Sequence, residues 1–123
     1  MLDEGELVGE IFQFPDAWWG FDAAGRSDHP GACVGYSKRG FNVTMLKGTD
    51  EKAARFRIPQ VVVAPSHENG LLKHTSFAIE PRTYSASKLY VLSDVRIGRL
   101  SHEDLEAMRI ELNRQFGVRE EFS

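Results

Sequence analysis

Alternating apolar and polar positions predict a chain built mainly from short β-strands. Two apolar runs, residues 31–37 and 41–47, lie close together, and every second residue from Phe41 to Met45 is apolar. A period of two is typical of a strand with one buried face. The glycine-containing break Lys38–Gly40 between the runs therefore predicts a β-hairpin.

The remaining strand candidates are short and bounded by turn-forming residues. Pro15 and Pro65 end two of them, because proline cannot donate a ladder hydrogen bond, and Glu68-Asn69-Gly70 predicts a turn. The candidates are residues 6–14, 61–64, 73–80 and 88–92. Residues 15–30 and 48–60 are predicted loops, and long loops often carry function.

A helical pattern closes the sequence. Ser101 is a predicted N-cap with Asp104 at the third helical position, as in a capping box, and Gly117 is a predicted helix stop. The apolar stripe between them comprises Leu105, Met108, Leu112 and Phe116. Many strands followed by one helix predict a mainly β (α+β) fold, either a small barrel or a curved sheet with a helix packed on it.

Composition places the chain among single globular domains. It has 123 residues, 41% hydrophobic and 27% charged, so one domain over residues 1–123 is expected. No apolar run approaches the roughly 20 residues that span a bilayer, and the acidic first residues do not resemble a secretory leader. With Cys33 as the only cysteine, no internal disulfide is possible. These features favour a soluble, cytoplasmic protein.

The net charge of −3 conceals an uneven distribution. Acidic residues dominate residues 1–25 and 100–123, whereas residues 26–99 hold twelve Lys or Arg against six acids. Such a basic middle can present a local positive patch to nucleic acid. Evenly scattered surface charge is the alternative interpretation.

Five short segments occur in a familiar order along residues 8–117. They are Gly9-Glu10-Ile11, Gly25–Gly31, Gly48-Thr49-Asp50, Pro81-Arg82-Thr83 and Ile97-Gly98-Arg99-Leu100-Ser101. Their order, followed by a closing helix, resembles the MazF/PemK (Kid-like) family of toxins from type II toxin–antitoxin systems.

The resemblance implies an SH3-like small barrel of about five to seven strands with a C-terminal helix. It also implies a homodimer that cleaves single-stranded RNA without a metal or cofactor, blocked by a cognate protein antitoxin. In such enzymes the 2′-hydroxyl of the RNA attacks the neighbouring phosphate. A base takes its proton, a cation stabilises the phosphorane, and an acid protonates the leaving 5′-oxygen.

Catalytic candidates follow from the matched positions. His29 stands where the family usually has an arginine before proline, Arg26 lies three residues earlier, and Thr49 matches the family's Ser/Thr after the third strand. The family's acidic residue falls on Ile79, so Glu80 fills that role only through a one-residue shift. The resemblance thus implies Arg26, His29, Thr49 and Glu80. A surface ion pair with Asp28 is the alternative role of Arg26.

Binding candidates lie beside them. His74 and Ser76, two apart on a predicted strand, share one face, which either lines an RNA groove or is simply exposed. Trp18 and Trp19 either stack on bases or pack as a lid or dimer contact. Arg82, in the matched Pro-Arg-Thr segment, is the remaining RNA-binding candidate. The histidines fit no zinc spacing, and Cys33, within an apolar run, is predicted to be a buried structural thiol.

Two other functions remain open at this point. One is a non-catalytic barrel of the same ancestry that binds a protein partner, since the match before Pro81 is poor. The other is a small SH3-like adaptor that grips a peptide with the Trp18-Trp19 loop.

Overall fold

The computed structural model describes residues 7–15, 28–37, 41–51, 58–85 and 95–117. These residues contain seven strands and, after them, one helix, α1, at His102–Phe116. The strands are β1 (Glu10–Pro15), β2 (Asp28–Ser37), β3 (Asn42–Asp50), β4 (Gln60–Val63), β5 (Thr75–Ala78), β6 (Arg82–Ser85) and β7 (Arg96–Arg99).

The seven strands form one antiparallel sheet, six of them in the order β4-β5-β3-β2-β1-β7, with β6 paired to β3 beside this path. The long strand β3 pairs along one edge with β2, while its other edge pairs first with β6 and then, towards its end, with β5. This change of partner accompanies the curling of the sheet into a half-barrel. The predicted fold class, a mainly β small barrel with a C-terminal helix, is confirmed.

The predicted hairpin is present, and its strands are longer than the sequence indicates. β2 and β3 pair from Gly31–Lys47 to Ser37–Asn42, with an irregularity between Cys33 and Gly35. β2 already begins at Asp28, inside the predicted loop, because Asp28 and His29 pair with the end of β1. β1 is apolar and buried, so its ladder outweighs the local turn signals of the Gly/Pro-rich segment.

Apolar side chains pack on both faces of the sheet. The first core lies beneath α1 and includes Ile11, Ala32, Val34, Leu46, Phe77, Met108 and Leu112. The second core, on the opposite face, comprises Leu7, Phe12, Phe14, Cys33, Val43 and Met45. Cys33 is fully buried, and this burial raises the pKa of its thiol to about 12. The prediction of a structural thiol is thereby confirmed.

The helix begins and ends as its sequence predicts. The Ser101 hydroxyl accepts a hydrogen bond of 3.1 Å from the Asp104 amide, and the Gly117 amide donates to the Asn113 carbonyl. Met108 and Leu112 are buried, and Leu105 packs beside them. Phe116 remains 46% exposed, so the buried stripe ends at Leu112, one turn earlier than predicted.

Two of the matched segments meet around a buried carboxylate. Glu10 is 2% exposed and accepts hydrogen bonds from Arg96 Nε at 2.8 Å and Arg99 Nη1 at 3.1 Å. The Leu100 amide donates to the Gly9 carbonyl at 2.7 Å. Beside them, a Cβ on Gly98 would lie 2.4 Å from the Asn69 carbonyl oxygen, so no larger residue fits there. These segments therefore have a structural role, because they join β1 to β7.

Removing both arginines should destabilise the fold measurably. In an Arg96→Met/Arg99→Met variant, Glu10 stays buried without these two partners. We expect a loss of about 2 kcal/mol in urea denaturation, below the ~3–5 kcal/mol of a fully buried pair, because both guanidiniums are half-exposed. Arg114→Met, which removes an exposed pair with Glu111, is the matched control and should cost at most ~0.5 kcal/mol. Equal losses in the two variants would contradict this role of Glu10.

Several predictions lie outside the described residues. These are Trp18, Trp19, Arg26, the hairpin break at 38–40 and the strand candidate at 88–92. Within the described part of the chain, no helix has the length and apolarity to cross a membrane.

Candidate functional site

Three chain segments with polar side chains meet at one end of the sheet. They are the start of β2, the end of β3 with the following residue, and the start of β5 with the two residues before it. Antiparallel neighbours run in opposite directions, so the start of one strand lies beside the end of the next. The topology thereby brings residues 28–30, 49–51 and 73–75 together.

His29 and Thr49 lie on neighbouring strands and face the same way. Gly31 of β2 pairs with Lys47 of β3. The next two residues, Pro30 and Gly48, are also adjacent, because a Cβ built on Gly48 would lie 3.0 Å from the Pro30 ring. His29 and Thr49 are the next residues in this register, and opposed residues of an antiparallel pair share a face. Both side chains are half-buried.

A buried aromatic residue pairs with His29 on the neighbouring strand β1. Phe14, its partner on β1, is fully buried, with its ring centroid 6.1 Å from that of Phe12 and 5.8 Å from that of Tyr84. Phe14 belongs to the second core, so His29 and Thr49 lie on the sheet face opposite α1.

Ser76 and His74 share this face, as the sequence predicts, but differ in exposure. Ser76 pairs with Thr49, is fully buried and has its hydroxyl hydrogen-bonded to the side chain of Gln60. It therefore ties β4 to β5 instead of lining an open groove. His74 is exposed, and its carbonyl accepts a 3.0 Å hydrogen bond from the Glu51 amide, which continues the β3–β5 register.

The continued register forms a charged cleft beside Thr49. The cleft is lined by Asp50, Glu51, Lys73 and His74, and Lys73 Nζ lies 3.4 Å from Asp50 Oδ2. Of these four residues only His74 emerges as a candidate from the sequence. The sequence does not reveal the other three, Asp50, Glu51 and Lys73. Their proximity depends on the pairing of β3 with β5, about 25 residues apart. The charged residues at the end of β3 and before β5 were a usable signal.

The structure separates Glu80 and Arg82 from this end of the sheet. Arg82 pairs with Met45, four residues before Thr49, or about 13 Å along β3 at strand spacing. Glu80 is exposed and lies between these two regions. Ile79, on which the family's acidic residue falls, is 1% exposed in the first core. The position therefore holds a packing residue here.

The gathered groups are suited to proton transfer and phosphate binding. The imidazoles of His29 and His74 and the Thr49 hydroxyl supply hydrogen-bond donors and acceptors on one face, with the Lys73 ammonium group and the Asp50 and Glu51 carboxylates beside them. Across the described ranges, no group of three or more His, Cys, Asp or Glu side chains is placed to hold a metal ion.

Comparisons with protein-family models, with curated proteins and with solved structures find no match for this chain.

Proposed function

We propose that this protein is an endoribonuclease of the MazF/PemK type, the toxin component of a type II toxin–antitoxin system. The observation that carries the proposal is the placement of His29 beside Thr49, on adjacent strands and on one face of the sheet. These are two of the four catalytic positions that the resemblance implies, and they come from segments 20 residues apart in the sequence.

The proposed reaction is metal-independent cleavage of single-stranded RNA. His29 exchanges a proton with a reacting oxygen, and the Thr49 hydroxyl donates a hydrogen bond to a phosphate oxygen. Hydrogen bonds of this kind stabilise the charge that develops in the phosphorane. The products are a 2′,3′-cyclic phosphate, or the 3′-phosphate formed by its hydrolysis, and a 5′-hydroxyl.

The proposal includes a homodimer, a cytoplasmic location and a cognate protein antitoxin. An apolar Trp18-Trp19 segment is awkward to leave in water, which favours a role in dimer contact or substrate binding. Sedimentation at micromolar protein concentration tests the homodimer. A monomer across the whole concentration range would contradict the homodimer.

Incubation of the purified protein with a long RNA in the presence of EDTA tests the enzymatic proposal. We expect cleavage at a limited set of sites, with cyclic or 3′-phosphate ends on the upstream fragments. DNA of the same sequence, which has no 2′-hydroxyl, should remain intact. An RNA left uncut under all conditions would mean that the protein is not a ribonuclease.

One observation favours a second candidate, a non-catalytic barrel that binds a protein partner. Ile79 is buried at the position of the family's acidic residue, and Glu80 and Arg82 lie away from His29 and Thr49. Stable binding of a cognate partner by a protein that cuts no RNA would favour this candidate.

A further inference from the structure

We propose that His74 is the second proton-transfer residue of this site and acts with His29 on opposite sides of the scissile phosphate. The inference rests on the proposed ribonuclease activity and extends it to a residue outside the matched segments. It follows from the register of three strands and from the charged cleft at their end.

The register places His74 within reach of the same phosphate as His29. Thr49 pairs with Ser76, and the Glu51–His74 hydrogen bond extends this ladder by two residues. His74 therefore faces the same side as Thr49 and His29. His29 lies two strands away from β5, and His74 lies two residues before Ser76 along that strand. In a regular sheet these offsets separate the two histidine backbones by about 12 Å. Two imidazole side chains span such a gap with a phosphate between them.

Lys73 and Asp50 form an exposed ion pair at the end of the same strands. The Lys73 side chain is 73% exposed, and its contact with Asp50 is 3.4 Å long. An ion pair this exposed contributes little to stability, and both side chains alternate with His74 and Thr49, so they lie on the other face of the sheet from the proposed phosphate. Glu51 and Asp50 are the acidic residues that line the cleft.

The proposed step is balanced without any further reactant. One imidazole takes the proton of the 2′-hydroxyl while the 2′-oxygen forms a bond to phosphorus. The bond from phosphorus to the 5′-oxygen breaks, and the other, protonated imidazole gives its proton to that oxygen. A 2′,3′-cyclic phosphate and a 5′-hydroxyl result, and the two histidines regain their starting protonation by exchange with water.

The test compares two histidine variants on two substrates. After the cleavage site has been mapped, an oligonucleotide is made with either the natural linkage or a 5′-bridging sulfur at that site. A thiolate leaves without protonation, so it needs no general acid. His74→Gln and His29→Gln should each cut the natural linkage at least about 100-fold more slowly than the parent. Only the variant that lacks the general acid should regain near-parental rate on the sulfur linkage.

His67→Gln and His102→Gln are matched controls. Both histidines are exposed and lie in other elements, a turn and the start of α1, so both variants should cleave like the parent. Unfolding midpoints equal to that of the parent show that the site variants are folded.

The outcomes separate this inference from the proposed function. Slow cleavage by both site variants, with rescue of one of them by sulfur, supports the histidine pair. Parental activity of His74→Gln, or rescue of both variants or of neither, overturns the role of His74 and leaves the ribonuclease intact. A parent protein that cuts no RNA overturns the proposed function and this inference together.

Discussion

Replacement of His29 by alanine is expected to lower the rate of RNA cleavage by about 100-fold or more. The imidazole lies beside Thr49 and has no chemical equivalent among the other residues of β2. The loss should appear in single-turnover rates measured with the protein in excess of both the RNA and the dissociation constant, because the missing group acts on the reacting atoms. Thermal unfolding and sedimentation should match those of the parent, since His29 is not part of either core.

Glu80→Gln distinguishes the histidines from the carboxylate that the resemblance implies. Glu80 is exposed and removed from Thr49 along the sheet. Retained cleavage by Glu80→Gln, together with its loss in His29→Ala, assigns proton transfer to the histidine end of the sheet. The reverse result, an inactive Glu80→Gln and an active His29→Ala, would contradict the proposed site.

Leu112→Ala is expected to destabilise the protein by about 2–5 kcal/mol. Leu112 is fully buried in the first core, which also holds Met108 and apolar side chains of β2 to β5, and α1 contacts β2 and β4. Removal of three carbon atoms there leaves a cavity that the surrounding strands can close only in part. Urea denaturation should show a lower unfolding midpoint, while the slope of the unfolding free energy against urea concentration stays unchanged.

Ile110→Ala provides the control from the same helix. Ile110 is 49% exposed, so its truncation removes less packing and should cost less than ~1 kcal/mol. A loss for Leu112→Ala below ~0.5 kcal/mol would mean that α1 does not cover the first core in solution.

Elements defined by local signals were predictable from the sequence. The hairpin follows from a period of two around one break, and α1 follows from a cap, an apolar stripe and a terminal glycine. In both cases neighbouring residues contain the whole signal. Phe116 fits the stripe by its spacing, but its side chain is 46% exposed, and spacing alone does not show where burial by the sheet ends.

Features that depend on strand order were not predictable in this way. The start of β2 reads as a loop, and only the ladder with β1 makes it a strand. The ion pairs of Glu10 join residues nearly 90 positions apart, and the charged cleft needs β5 to lie beside the end of β3. Alternation along the strand correctly predicts that Ser76 shares a face with His74. It cannot predict that Ser76 is buried and hydrogen-bonded to Gln60 of β4, because that contact comes from another strand.

A single 2′-deoxy substitution tests the proposed chemistry most directly. Once a cleavage site is known, the protein is incubated with two RNAs that differ only at the nucleotide whose 2′-hydroxyl would attack. We expect the deoxy substrate to stay intact at that linkage and to be cut normally at other sites, because the internal nucleophile is missing. Cleavage at the deoxy linkage would contradict attack by the 2′-hydroxyl, and with it the proposed roles of His29 and Thr49.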